Sequence, residues 1–559
     1  MDRLDDPPRD EHDAPCGGGT VSAGREAVAA HEATLKARAA EPLARLSARH
    51  LDDSVLAEIL ARGGILHEER TEDGRTVHGW TPQSGRQGLA ARLCYSEGVW
   101  RMWDGTVWLS KGEADAVEVV RRELRARFTE LTASPDLKPD DVKAYAVLLQ
   151  KTKAANVLYF LRGLLAVDAA KFDADPYVLN CRNGLVDLRD ASIRAPHPED
   201  YLTKVTGCDY DPEATHPDWE MALEALPSDV REWMQVRYGQ AITGFAVDDD
   251  VIPIQTGDGS NGKSAQVTAM VKALGGYGVF VPDRVLLASP GEHPADLMTL
   301  RGARFAVLEE TPEGKFLPTK RLKDLAGTAV MTARAMRQDW VSWDATHTLF
   351  VNTNFVPQIA ETDGGTWRRL ALVRYPYKFI HPDDPIMAPN ERHGDPGLRE
   401  RLRDNPGGQW DAVLAWLVAG AVEWFGNGRR QLPVPLTVRL DTQRWREDTD
   451  VVMAYCMERI EFDPSSKVLT SDLYEDFLDW MQGVGKTKVA ENTLAARLES
   501  HELFKKNNVA KLSRSRDHSG LTRLPVSWRE DQKPTPAQAT MWAGVRFKPR
   551  ESVTEGGWA

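Results

Sequence analysis

Eight consecutive residues, Gly257-Asp258-Gly259-Ser260-Asn261-Gly262-Lys263-Ser264, are spaced as G-x-x-x-x-G-K-[ST], a pattern that cradles polyphosphate. Gly257, Gly259 and Gly262 let the backbone curl until amide N–H groups face phosphate oxygens, with Asp258, Ser260 and Asn261 completing the loop. Lys263 supplies a compact positive charge for the β- and γ-phosphates, and the Ser264 hydroxyl suits Mg²⁺, so ATP and Mg²⁺ are the expected cofactors. Further on, Glu309-Glu310 offers two carboxylates. Glu309 fits the metal shell beside Ser264 and Glu310 fits the base that polarises water, although the two roles are interchangeable from sequence alone. The amides of Asn352-Thr353-Asn354 can orient that water. In Trp367-Arg368-Arg369-Leu370, Arg369, with Arg368 beside it, can act as a finger on a neighbouring subunit's γ-phosphate or form a surface salt bridge.

Such groups work only if regular elements hold them. Val251–Gln255 is a short apolar run of the kind that forms a buried strand, and Ala265–Leu274 reads as a helix closed by Gly275-Gly276. The phosphate-binding pattern therefore sits in a strand–loop–helix context. Arg304–Leu308 and Thr346–Val351 read as further buried strands, which puts the acidic pair and the amides at strand ends. Upstream, Trp100 to Trp108 forms a candidate hairpin around Asp104-Gly105, and Tyr177 to Leu188 another around Asn183-Gly184.

Composition narrows the function classes. The 559 residues carry 70 basic and 83 acidic side chains, a formal charge of −13, so any nucleic-acid contact must come from local basic surface. Arg497 to Arg529 provides one, with eight Lys/Arg against three acids. Lys505, Lys506, Lys511, Arg514 and Arg516 are its candidate DNA contacts. Five scattered cysteines without C-x-x-C argue against a zinc or disulfide framework. The longest apolar stretch, Val413 to Val422, is too short to cross a bilayer, and the acidic, Pro-rich start is no secretory signal. No membrane partner is expected, and a cytoplasmic location is.

The order of these motifs resembles superfamily 3 helicases, and more narrowly the phage and plasmid primase-helicases related to the poxvirus enzyme. His293-Pro294-Ala295-Asp296-Leu297, Leu300-Arg301-Gly302-Ala303-Arg304, Lys323-Asp324-Leu325-Ala326-Gly327, Asn354-Phe355-Val356-Pro357 and Trp367-Arg368-Arg369-Leu370 carry the likeness. It singles out Asn354 as the water-orienting amide and departs from the family at Gly327-Thr328-Ala329, where Gly-Gly-Asp is common. The implied fold is a multidomain α/β protein: a central AAA+-like P-loop NTPase, an α+β N-terminal accessory domain and a C-terminal winged helix.

The expected boundaries are an acidic disordered tail over 1–30, a helical region over 31–90 and the accessory domain over 91–217. The ATPase follows over 218–385, a helical connection over 386–445, the winged helix over 446–530 and an irregular tail over 531–559. The resemblance also implies a channel hairpin between Thr332 and Thr346; read from the residues, Thr332–Met336 and Thr346–Val351 can be its strands and Arg337–Trp340 its tip. Arg334 and Arg337 would then grip phosphate and Trp340 would stack on a base.

The function implied is an ATP-dependent DNA helicase replicating a phage, prophage or plasmid. It would work as a homohexameric ring on single-stranded or forked DNA, alongside a separate primase or polymerase. A primase-helicase that makes its own primers and a nucleotide-gated initiator without unwinding are the alternatives.

Overall fold

Alternation of apolar side chains sets the core. In Phe305–Glu309, Phe305 and Val307 face one buried cluster, while Ala306 and Leu308 face another. A strand that is apolar on both faces needs cover on both, as in a sheet sandwiched between helices. In the computed structural model, which describes residues 51–70, 76–82, 87–133, 137–287, 294–309, 316–317, 319–335, 339–359, 364–483, 490–524 and 534–549, this is the arrangement found. The chain divides into two units, Met1–Phe172 and Asp173–Ala559.

In the first unit, a helix over Asp53–Arg62 is capped by the Asp52 carboxylate, which accepts the Ser54 and Val55 amides. The expectation of helix throughout 31–90 is corrected here. Gly64–Arg70 and Thr76–Pro82 pair as an antiparallel ribbon, and residues 31–50 lie outside the described ones. The helical spacing of apolar residues runs only from Glu32 to Arg62 and carries no information on the ribbon that follows it. The Trp-rich segment forms the expected hairpin, with Trp103 opposite Trp108 and the Asp104 carboxylate accepting the Thr106 and Val107 amides. Helices Glu113–Thr132 and Lys151–Leu164 pack against it.

The second unit is built on five parallel strands: β1 (Ile252–Thr256), β2 (Gly278–Val281), β3 (Phe305–Glu309), β4 (Thr348–Thr353) and β5 (Leu370–Arg374). Their spatial order is β2-β3-β4-β1-β5. The chain leaves β1 for the far edge, returns through β3 and β4, and then crosses to β5. In parallel sheets, ligands bind beyond the carboxyl ends of the strands where the order reverses.

One face of the sheet is covered by α1 (Pro217–Leu223), α2 (Ser228–Ala241) and α3 (Lys263–Leu274). Further along the chain, α4 (Leu398–Asp404) and α5 (Gln409–Gly426) join that face. Helices α2 and α5 cross at Gly239 and Gly420, where a Cβ on Gly239 would meet the Gly420 backbone at 2.1 Å, so only glycine permits the approach.

Between β3 and β4, Val330–Ala333 pairs antiparallel with Val341–Asp344. This corrects the expectation that Thr346–Val351 closes the hairpin, since most of that segment is committed to the central sheet as β4. Beyond β5, the short strands β6 (Lys378–Ile380) and β7 (Glu391–His393) form a parallel ribbon.

At the C-terminus, helices Thr470–Gly483, Glu491–Ser500 and Glu502–Lys506 accompany a four-stranded sheet. The expected irregular tail over 531–559 is also corrected within 534–549, and residues 531–533 and 550–559 lie outside the described ones. Ala539–Phe547 is a strand paired with both Ile460–Leu469 and Ala510–Ser515. Pro534, Pro536 and Pro549 flank it without interrupting it, and Met541, Trp542, Val545 and Phe547 are buried.

Candidate active site

The loop from Gly257 to Ser264 leaves the end of β1 and enters α3 with left-handed backbone at Gly259 (φ 91°), Ser260 (φ 48°) and Gly262 (φ 84°). A Cβ on Gly257 would lie 2.2 Å from Asn261 Nδ2 and 2.9 Å from the Tyr375 carbonyl, so the first glycine is a steric requirement. The curl brings the Lys263 ammonium back over its own loop. Lys263 Nζ donates to the Gly257 carbonyl (3.2 Å), Asn261 Oδ1 (3.3 Å) and Asn354 Oδ1 (3.1 Å).

None of those acceptors is a carboxylate, and Lys263 is only 3% exposed. Burial lowers its pKa below the ordinary lysine value, against a weaker opposing pull from the Asp258 charge. A buried cation held only by neutral oxygens is incompletely compensated and favours an incoming anion. It borders a cavity of about 480 Å³ that Ser264 and Asn354 also line. The buried Asn261 Nδ2 has no hydrogen-bond partner among the described residues.

Lys263 and Asn354, 91 positions apart, are thus joined by tertiary structure. Glu309 ends β3 level with Asn352 of β4 and Gln255 of β1, at the loop's end of the sheet, and is exposed. Two strand spacings separate it from Gln255, about 10 Å. Glu310 lies outside the described residues.

Arg368 and Arg369 precede β5 at the opposite end of the sheet, a strand length of about 16 Å from the glycine loop's level. Arg369 is turned inward onto Asp250 (3.0 Å) and the Gly365 carbonyl (2.9 Å), whereas Arg368 is exposed.

The candidate DNA contacts form separate groups. The Arg334 guanidinium lies 5.0 Å from the centre of the Trp340 ring, and Trp340 is 56% exposed; Arg337 falls outside the described residues. Lys505, Lys506, Arg514 and Arg516 are exposed. Lys511 is half-buried, 3.8 Å from Glu499 and over the Trp542 ring.

Sequence reasoning missed the layer beneath the loop. Tyr238 and Tyr375 both reach Gln255 Oε1 (2.8 and 2.9 Å), and Tyr375 also lies 2.8 Å from Gln266 Oε1. Gln255 enters the loop and Gln266 follows it, so these bonds brace both of its stems. Burial pushes both tyrosine pKa values up, keeping the phenols neutral. The available signal was Gln255 inside an otherwise apolar strand, since a buried amide requires partners.

The family model "D5 N terminal like" matches residues 86–226. A putative primase of African swine fever virus is 25% identical over 325 residues, covering 55% of this chain and 33% of that protein. A putative helicase of Acanthamoeba polyphaga mimivirus is 24% identical over 350 residues, covering 59% and 35%. The chain spans about a third of the length of these relatives. The apo C-terminal region of NrS-1 aligns at 12% identity and a TM-score of 0.39, over 75% of this chain and 84% of that one. The protein is a mixed α/β multidomain chain with a parallel sheet. Residues 86–226 thus match a family model, and the relatives are viral proteins named as putative primase or putative helicase.

Proposed function

We propose that this chain is the ATP-driven motor of a replicative DNA helicase of superfamily 3. The observation that carries the reading is the buried Lys263 ammonium, which among the described residues is hydrogen-bonded to no carboxylate and is held beside Asn354 within a glycine loop. The residues fit a nucleoside triphosphate with Mg²⁺: a cation that among the described residues is hydrogen-bonded only to neutral oxygens, a cradle in which a Cβ on Gly257 would clash, and an Asn261 amide nitrogen with no partner among them. When bound, ATP supplies the phosphoanhydride whose hydrolysis drives movement.

Lys263 would neutralise the phosphates, and Ser264 with Glu309 would hold Mg²⁺. Glu310 would take a proton from the attacking water, and Asn354 would orient that water. Arg368 and Arg369, at the end of the sheet away from their own loop, would serve the site of a neighbouring subunit, which favours a ring. Arg334, Arg337 and Trp340 would contact single-stranded DNA, and the basic C-terminal surface would dock on duplex phosphates as a winged helix.

Lys263→Ala is expected to abolish DNA-stimulated ATP hydrolysis while leaving the circular dichroism spectrum intact, and unaltered turnover would overturn the reading. Comparing hydrolysis with and without single-stranded DNA separates a motor from a nucleotide-gated scaffold. Because one relative is named as a primase, a labelled-nucleotide primer assay on single-stranded template tests primer synthesis separately.

A further inference from the structure

We propose that Phe379, on the β6–β7 ribbon, is the platform on which the base of the bound nucleotide stacks, making the ribbon the wall that sets base affinity. The proposal rests on the nucleotide reading of the glycine loop and adds a part of the site that the motif does not contain. The cavity beside Lys263 is lined by apolar Ala222, Ala225, Leu398 and Phe379 together with polar Glu224, His393, Asp395 and Arg399, and Ala225 and Phe379 stand against Gly262 of the loop. A nucleotide brings both kinds of surface, charged phosphates and a flat, weakly hydrated base.

The aromatic ring is fixed relative to the phosphate cradle. After β5 the chain is laid along the glycine loop: the Tyr375 amide donates to the Thr256 carbonyl (2.8 Å) and the Phe379 amide to the Ser260 carbonyl (2.7 Å). Phe379 Cε2 lies 3.6 Å from where a Cβ on Gly262 would stand. On the ribbon, Phe379 pairs with Arg392, and a Cβ on Gly394 would come within 2.8 Å of Phe379 Cβ, so glycine is what leaves room for this side chain. Lys378 bonds Glu391 (3.2 Å), and Glu391 also accepts the Met387 and Ala388 amides, which ties the ribbon's connection down. Phe379 is half-buried, and among the described residues its ring stacks on no other aromatic or cationic group. A ring held firmly at the cavity wall and left without a stacking partner suits a purine or pyrimidine face.

The test is calorimetric titration of the full chain with Mg-ATP and, separately, with Mg-tripolyphosphate, which carries the charge but no base. Phe379→Ala is expected to weaken ATP roughly tenfold or more, in line with the loss of one base–aromatic stack, and to leave tripolyphosphate affinity unchanged. Phe379→Trp is expected to keep ATP affinity near wild type. Equal weakening of both ligands would show that Phe379 only supports the loop, and unchanged ATP binding would show that the base lies elsewhere; either overturns the proposal. If the wild-type chain binds neither ligand, the nucleotide reading itself fails and the base platform with it.

Discussion

Lys263 owes its behaviour to what surrounds it. An ammonium on the surface would be hydrated, but here burial removes water and offers three neutral oxygens in its place. The site therefore gains more from a bound polyanion than an exposed lysine would. The two arginines before β5 pose a separate question of geometry. Arg369 is occupied by Asp250 within its own chain, while Arg368 is exposed, which makes Arg368 the better placed of the two to reach another subunit. If it does so, Lys263→Ala and Arg368→Ala spoil different partners of each interface. Each variant alone is expected to hydrolyse ATP at less than about a thousandth of the wild-type rate, and mixing them should restore part of the turnover. A mixture as inactive as its components would place Arg368 outside the reaction.

At the scale of elements, the parallel sheet aligns groups that are far apart in the chain. Strand ends at β1, β3 and β4 collect the glycine loop, Glu309 and Asn354 on one edge, and the return to β5 puts the arginines on the other. The hairpin inserted between β3 and β4 is held by backbone pairing and by the Thr332–Ser342 hydroxyl contact (2.9 Å). Its Trp340 stays largely exposed with Arg334 over the ring, an arrangement that presents an aromatic face and a cation together. Trp340→Ala is expected to lower affinity for a fluorescent single-stranded oligonucleotide by roughly tenfold, as one lost base stack would. DNA-independent ATP hydrolysis should be unaffected. Equal oligonucleotide affinity in the two proteins would remove the hairpin from the DNA path.

At the scale of the whole molecule, stability carries a pH signature from the C-terminal region. Asp476 is 3% exposed, hydrogen-bonded to the Tyr455 hydroxyl at 2.9 Å, and burial raises its pKa to about 6. The folded state thus binds this proton more tightly than the unfolded chain, so the stabilisation is full below about pH 4 and is lost as pH rises through 6. The displacement of about two units corresponds to roughly 3 kcal/mol. Asp476→Asn is expected to raise the unfolding temperature of the C-terminal region at pH 8 and to change it little at pH 4.5, as read by thermal melts at both values. A variant less stable at pH 8 would mean that the ionised carboxylate is worth more to the Arg459 side chain, 3.9 Å away, than its burial costs.

What the sequence alone determined is local. G-x-x-x-x-G-K-[ST] dictates a curled loop before a helix because glycine spacing and backbone sterics act within eight residues, and short apolar runs announce buried strands. The same locality explains where it failed. Helical spacing over 32–62 says nothing of the ribbon from Gly64 to Pro82 that follows it, and the prolines around Ala539–Phe547 hid a strand whose partners lie about 30 and 80 residues upstream. Only the tertiary structure decided that Lys263 meets Asn354, that Arg369 is held by Asp250, and that Phe379 closes over the loop. Each depends on chain segments brought together by packing the two faces of one sheet, and no pattern within a single segment encodes which distant side chain will fill the space opposite it.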